Sequence, residues 1–481
     1  MLLLAIILVP ALGAALTYAA PRRPGRSALL MLGATVHLLL VFRLWTTAGE
    51  TALGGWLAED PLGLIVLSLV SVLFLVTAQY TVGHLRSASA RDQRIFPSCL
   101  FAFLTAASLV SLSHHLALLW VGMEATTLSV APLIYDRHDR RSLEAVWKYL
   151  VLSSVGIALA LLAVFLLATA QPSGAGQRPL VLDDLTAGAA ALDPRWLRAA
   201  FVFAIVGFGT KMGLAPMHTW KPDTYGEAPS LVGGVMAGGL TSCAFLGLAR
   251  FTQVLIAAGL VAFVRPLLIA FGLFSLLVAT AFIIGQADVK RLLAYSSVEH
   301  MGLLALGMGL GGLGAYGAVL HVLNNGLVKV LLFLIVGNLV LATGSSAAAD
   351  IRGMLRARPV SSVLLLVGLL AVSGSPPFGP FLSEFAIVSG AIREDHPWVA
   401  GFALLMLSLI FVGIARMILD MVLGNGTSSP ALAEPPPREA TWMVAGPMAL
   451  ACIVLLLGLY VPRPLQENLA RAAATLGGYA P

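Results

Sequence analysis

Charge is what this chain has least of. Asp, Glu, Lys and Arg make up 11% of its 481 residues, where an ordinary soluble chain carries roughly 25%. That shortfall excludes a disordered chain, a nucleic-acid-binding protein and a typical soluble enzyme. Cysteine is scarce as well: Cys99, Cys243 and Cys452 stand far apart, each inside an apolar run. No Cys-x-x-Cys or Cys-x-x-His spacing occurs, so no haem, iron–sulfur or zinc site is expected from this chain alone. Glycine patterns such as Gly307 to Gly314 fall within apolar stretches, not between a strand and a helix. They read as helix-packing glycines rather than a nucleotide loop. Nothing resembles a hydrolytic or redox centre.

What is present is apolar: 59% of residues are hydrophobic, and the mean hydropathy is +0.92. A bilayer crossing needs about 20 apolar residues, and the chain holds about fourteen such blocks. They fall at 1–20, 27–46, 60–83, 97–113, 115–135, 146–170, 198–217, 230–249, 254–285, 292–311, 314–342, 360–390, 397–423 and 441–461. The expected fold is an all-α polytopic membrane protein with no soluble domain. Its longest polar stretches are Gln171 to Arg195 and the Pro-rich linker Thr427 to Glu439. Met1 to Ala20 has no positive residue ahead of its apolar part, and Arg22, Arg23 and Arg26 follow it. A cleavable signal has the opposite polarity, so this block reads as a first span.

The net charge of +6 is assigned to orienting loops rather than to a nucleic-acid partner. Of the 29 Lys and Arg, about sixteen follow odd-numbered spans and about nine follow even-numbered spans or lie in the C-terminal tail. The first group includes Arg86, Arg137, Lys221, Lys290, Arg291, Arg352 and Arg438; the second includes Arg178 and Arg250. By the positive-inside rule both termini lie outside. Asp350 and Arg352 read as a loop pair.

Two spans are interrupted by helix-breaking residues, at Gly207-Phe-Gly-Thr-Lys-Met-Gly-Leu-Ala-Pro216 in span seven and Ser373-Gly-Ser-Pro-Pro-Phe-Gly-Pro380 in span twelve. Freed backbone inside a bilayer is tolerated only where protein or a watery cavity satisfies it. The breaks lie five spans apart, each beside an ionisable residue, Lys211 or Glu384. Paired interruptions mark an inverted-repeat transporter with its ion path at the breaks. The division that follows is 1–96 for the first three helices, 97–251 and 252–425 for two five-helix inverted repeats, and 426–481 for the linker and last helix.

Ionisable residues inside spans are costly and mark function or a structural pair. Glu124 sits in mid-span five, with Lys211, Lys148 and Lys329 as its candidate partners. A lysine in a dry site exchanges its proton near neutrality, and a nearby carboxylate makes it hold that proton more tightly. An alternating carboxylate–lysine pair can therefore store and release a proton. Lys148, near the start of span six, could equally snorkel to the interface. In span eleven His321, Asn325 and Lys329 recur every four residues along one face, with Asn324 beside them. This stripe reads as a hydrated path or as interhelical hydrogen-bond glue. His300 suits proton relay by its ordinary pKa, and suits a structural role equally well.

The segments His218-Thr-Trp-Lys-Pro-Asp223, Gly226-Glu-Ala-Pro-Ser230 and Asp288-Val-Lys-Arg-Leu-Leu-Ala-Tyr-Ser-Ser297 resemble the proton-pumping, antiporter-like membrane subunits of the complex I and membrane-bound hydrogenase superfamily. The resemblance spans roughly residues 60–425. His321-Val-Leu-Asn-Asn-Gly-Leu-Val-Lys329 and Pro376-Pro-Phe-Gly-Pro-Phe-Leu-Ser-Glu384 look most like the F component of hydrogenase-4. The M chain of NADH:quinone oxidoreductase and the D chain of multisubunit sodium/proton antiporters are close competitors. The resemblance implies a fourteen-helix protein that moves protons without a redox cofactor. Glu124 and Lys211 would form the input pair, modulated by Lys148. Lys329 would lead to Glu384 at the exit, with His300 and His321 lining the path. His218, Asp223, Glu227, Asn324, Asn325 and Ser242 would support it.

The implied partners are other membrane subunits, a peripheral redox arm and the lipid of a bacterial or archaeal cytoplasmic membrane. The transported ion would be the proton, with sodium exchange as the alternative and a non-conducting structural role as a third reading. Two departures stand out: Thr241-Ser-Cys243 occupies the place of a span-eight lysine, and Asn325 that of a second span-eleven histidine. A central relay would then pass through water or Ser242.

Overall fold

A computed structural model of the chain describes all residues except 48, 86–88, 90, 173–178, 426–438 and 480–481. Arg86, Arg178, Arg438 and nearly all of the Pro-rich linker therefore lie outside the described residues. With no water in the hydrocarbon to receive backbone hydrogen bonds, these apolar runs can only close them internally, as helices.

The helices are α1 (Leu2–Ala19), α2 (Arg23–Leu44), α3 (Pro61–His84), α4 (Asp92–Leu112), α5 (Leu116–Ile134), α6 (Arg140–Thr169), α7 (Leu182–Ala187), α8 (Pro194–Met212), α9 (Trp220–Glu227) and α10 (Ser230–Val235). There follow α11 (Thr241–Ala257), α12 (Val261–Ile283), α13 (Val289–Leu310), α14 (Gly312–Thr343), α15 (Met354–Ala357), α16 (Pro359–Val372), α17 (Gly379–Arg393), α18 (Pro397–Leu423), α19 (Thr441–Leu459) and α20 (Arg463–Ala474). A two-stranded hairpin, Thr51–Ala52 with Leu57–Ala58, precedes α3.

Among the described residues, 11 helical segments are long and apolar enough to cross a membrane unaided. The expected spans at 198–217, 292–311 and 360–390 are not among them. Both expected breaks are present: the first divides α8 from α9, and the second divides α16 from α17. The remaining segment, α13, carries Lys290, Arg291, Glu299 and His300. Burial is graded across the bundle. Helices α1 and α2 are mostly exposed or only partly buried, whereas Leu231 to Leu255 are all buried, and α13 and α14 nearly so. The polar residues of interest therefore sit on the innermost helices.

The start of α1 packs Leu3 and Ile6 into one cluster with Leu57 and Leu112. Helix α20 reaches the same end of the bundle, where Asn468 donates to the Pro61 carbonyl at 2.9 Å. The start of α1 and α20 thus lie at the same end of the bundle.

Several cations assigned to loops turn out to be structural. Arg250 is 1% exposed in α11, and its Nη1 donates to Asp60 Oδ2 at 2.9 Å. Asp60 also caps α3, accepting from the Leu62 and Gly63 amides, and its Oδ1 lies 3.4 Å from His114 Nε2. Burial alone would push the Asp60 carboxyl up, but the Arg250 charge and the His114 contact hold it well below the usual carboxylate range. Lys290 is buried too, donating to the Gly226 and Ala228 carbonyls at 2.6 Å each, where a cation satisfies the end of α9. Arg352 pairs at 2.8 Å with Asp420 of α18, not with Asp350, which accepts from Ser345 instead.

Candidate functional site

The first break is built by glycine. Helix α8 ends at Gly213 with φ +78°, a left-handed conformation that a side chain would strain. The missing Cβ also leaves room for the stem of Lys221, which lies against Gly213. The chain then turns, held by the Ala215 amide donating to Ser275 Oγ of α12 at 3.0 Å. Trp220 Nε1 donates to the Thr210 carbonyl at 2.8 Å, fastening α9 back onto α8. The second break repeats this design: Gly374, with φ +59°, supports the carboxylate of Glu384.

Beside the first break, Glu124 of α5 is half-buried, and Lys211, in the last turn of α8, is fully buried. Thr127 joins them. Its hydroxyl donates to Glu124 Oε2 at 3.2 Å and accepts from the Lys211 ammonium. Ser154 of α6 donates to the other oxygen of Glu124 at 3.3 Å. The Lys211 ammonium also lies 5.2 Å from the Tyr149 ring centroid, over a face that favours cations.

Further in, α13 presents Ser296, Ser297, Glu299 and His300, all buried. The Lys329 ammonium of α14 donates to Ser296 Oγ at 2.6 Å, and Ser296 donates to Glu299 Oε2 at 3.2 Å. His300 Nδ1 stands 3.0 Å from His321 Nε2, and His321 Nδ1 stands 2.9 Å from Ser383 Oγ of α17. Asn324 Nδ2 reaches the same Ser383 hydroxyl at 3.4 Å. Glu384, the next residue, is 8% exposed and borders a cavity of about 440 Å³ between α17 and α18. His300 Nε2, Asn324 Oδ1, both polar atoms of Asn325 and Glu384 Oε1 are buried and meet no hydrogen-bond partner among the described residues. Each such atom costs about 1–3 kcal/mol unless hydrated, which favours water along this stretch.

The other expected residues lie elsewhere. Lys148 is 44% exposed and pairs with Glu144 at 2.8 Å and Asp223 at 2.9 Å, not with Glu124. Asp223 also meets Arg291 at 3.3 Å, and Glu227 meets Arg137 at 4.0 Å. These groups line a polar vestibule of about 300 Å³ at the end of the bundle away from the chain termini. The Ser242 hydroxyl donates to its own helix, at Gly238 O, 2.6 Å away. The His218 ring packs 6.2 Å from that of Tyr295. His300, His321 and Glu384 each bring a potential ligand atom within 4.8 Å of the others. Both ring nitrogens of His321 are already engaged, by His300 and Ser383, so a metal there would have to displace one of them. Residues that sequence reasoning passed over are Thr127, Tyr149, Ser154, Lys221, Ser296, Ser297, Glu299 and Ser383. Glu299 had a visible signal, a carboxylate amid an apolar span.

Fold and site together define a polytopic membrane protein with a buried line of ionisable side chains. The family described as NADH:quinone oxidoreductase/Mrp antiporter, transmembrane, matches residues 113–410, and the chain belongs to it. It is 32% identical over 428 residues to a hydrogenase-4 component F homolog of Methylacidiphilum infernorum (isolate V4), covering 86% of this chain and 87% of that protein. Its fold is similar to a chain of the Mrp complex from Dietzia sp. DQ12-45-1b, with a TM-score of 0.88, 18% identity and coverage of 99% and 97%. It is similar also to a chain of the archaeal membrane-bound sulfane sulfur reductase, with a TM-score of 0.87, 22% identity and coverage of 99% and 98%.

Proposed function

We propose that this chain is a proton-translocating membrane subunit of a complex I-like or hydrogenase-type redox assembly. The observation that carries this reading is the buried line from Glu124 through Thr127 and Lys211, and from Lys329 through Ser296, Glu299, His300 and His321 to Glu384. Buried charges of this kind cost several kcal/mol each and persist in membrane proteins where they conduct or couple. A carboxylate drawn toward a buried lysine favours its charged form, and one drawn away favours release. Thr127 holds Glu124 and Lys211 one hydroxyl apart, so a small shift of α5 against α8 makes or breaks direct contact. Electron transfer in partner subunits would drive that shift.

The same reading takes 97–251 and 252–425 as inverted repeats, counts each broken pair and α13 as one crossing to reach fourteen, and places both termini outside. Lys148, Asp223 and Glu227, with His218 behind them, would shape the vestibule that feeds or drains the line. Asn324 and Asn325 would hydrate it, and Ser242 would stiffen the span-eight helix.

The test is Lys211→Ala in the assembled complex, in sealed vesicles supplied with the electron donor. Electron transfer and assembly are expected to persist while proton pumping is lost; pumping at the wild-type level would remove Lys211 from the route. Sodium exchange predicts instead that transport depends on sodium at fixed pH.

A further inference from the structure

Lys221 lies in a polar segment that reads as a loop, yet it is 0% exposed. Helix α9 folds back after the first break and carries this side chain into the bundle interior. Its stem rests on Gly213, two residues beyond Lys211. Its ammonium donates to Ser297 Oγ of α13 at 2.9 Å. The preceding residue, Ser296, receives the Lys329 ammonium at 2.6 Å. Two lysines, one from each half of the line, thus hang from consecutive hydroxyls of one helix turn.

No carboxylate lies within ion-pairing distance of Lys221 among the described residues. A buried cation without a counter-ion is expensive, and a purely structural role would be served better by an apolar residue of similar length. Helix α11 supplies no substitute. Thr241 and Ser242 turn their hydroxyls to their own backbone, at Ala237 O and Gly238 O, and Cys243 is buried beside them.

We propose that Lys221 is the central relay of the route, passing protons between the Lys211 half and the Lys329 half in place of a titratable group on α11. The proposal rests on the proton-translocation reading. In the first transfer the Lys211 ammonium becomes an amine as the Lys221 amine becomes an ammonium. In the second, Lys221 gives a proton to the Ser297 hydroxyl as Ser297 gives its own to Ser296 and Ser296 gives its own to the Lys329 amine. Each step moves one proton and leaves the serines unchanged.

The experiment measures donor-driven proton pumping and electron transfer, side by side, in vesicles containing the assembled complex. The variants are Lys221→Leu, Lys221→Arg, Lys211→Ala, and Lys221→Leu combined with Thr241→Lys. Arginine keeps the charge but does not release its proton in a protein. Loss of pumping in both Lys221→Leu and Lys221→Arg, with electron transfer retained, is the expected result. Recovery on adding Thr241→Lys would support the relay further. Wild-type pumping in Lys221→Arg would show a structural cation and overturn the proposal, even if Lys221→Leu fails to assemble. Wild-type pumping in both Lys221 variants beside a silent Lys211→Ala would also overturn it. Wild-type pumping in Lys211→Ala would instead overturn the parent reading.

Discussion

Gly374→Ala tests whether the second break exists to seat the Glu384 carboxylate. Gly374 has φ +59°, and an L-residue held in that region costs about 1–2 kcal/mol. The added methyl would also occupy the space of the Glu384 carboxylate. That carboxylate ends a flexible side chain, so it can swing away toward the neighbouring cavity with little added strain. The total loss of stability should therefore stay near the backbone cost, and the chain should still fold and assemble. Function should suffer far more, because Glu384 would leave the end of the His300–His321–Ser383 row. Thermal unfolding in detergent gives the first quantity, and donor-driven pumping in vesicles gives the second. A variant that pumps normally, or one destabilised far beyond about 2 kcal/mol, would sink this explanation of the break.

Other perturbations separate scaffold from site. Arg250→Ala leaves Asp60 without its buried partner and should cost about 3–5 kcal/mol, read from thermal or denaturant unfolding. Asp60 is held below its ordinary range in the folded state, so its contribution is present at neutral pH and lost as pH falls. The stability gap between wild type and Asp60→Asn should be flat above about pH 5 and shrink at more acid pH. Lys290→Met removes two charge-assisted bonds at the end of α9; faster amide exchange confined to α9 and its junction with α10 is expected. Lys148→Ala breaks only half-exposed pairs and should cost less than about 1 kcal/mol in the same unfolding assay.

Much of this architecture was legible in the sequence because bilayer physics is restrictive. Apolar runs had to become helices, and Gly-Pro clusters at 207–216 and 373–380 had to interrupt them. Glu124, Lys211, Lys329 and Glu384 stood out because ionisable groups in apolar runs demand a reason. Lys221 and Arg250 did not stand out, since loop-like neighbours hid their burial. Whether a polar segment folds back into the bundle depends on a turn such as that at Gly213, which no local periodicity announces. The hydroxyls that join the charges, Thr127, Ser296, Ser297 and Ser383, acquire meaning only when helices far apart in sequence pack together. Lys148 shows the converse: its position in span six suggested a partner in Glu124, but the helix turns it toward Asp223 on the surface.

If protons cross the whole buried line and leave at Glu384, a side chain there that cannot ionise must lower their yield. Glu384→Gln keeps the shape of the side chain and removes its charge, so the decisive measurement is the number of protons pumped per electron in the assembled complex carrying that variant. Electron transfer should continue while the ratio falls below the wild-type value. An unchanged ratio, with the variant chain present in the complex, would contradict a route that ends at Glu384.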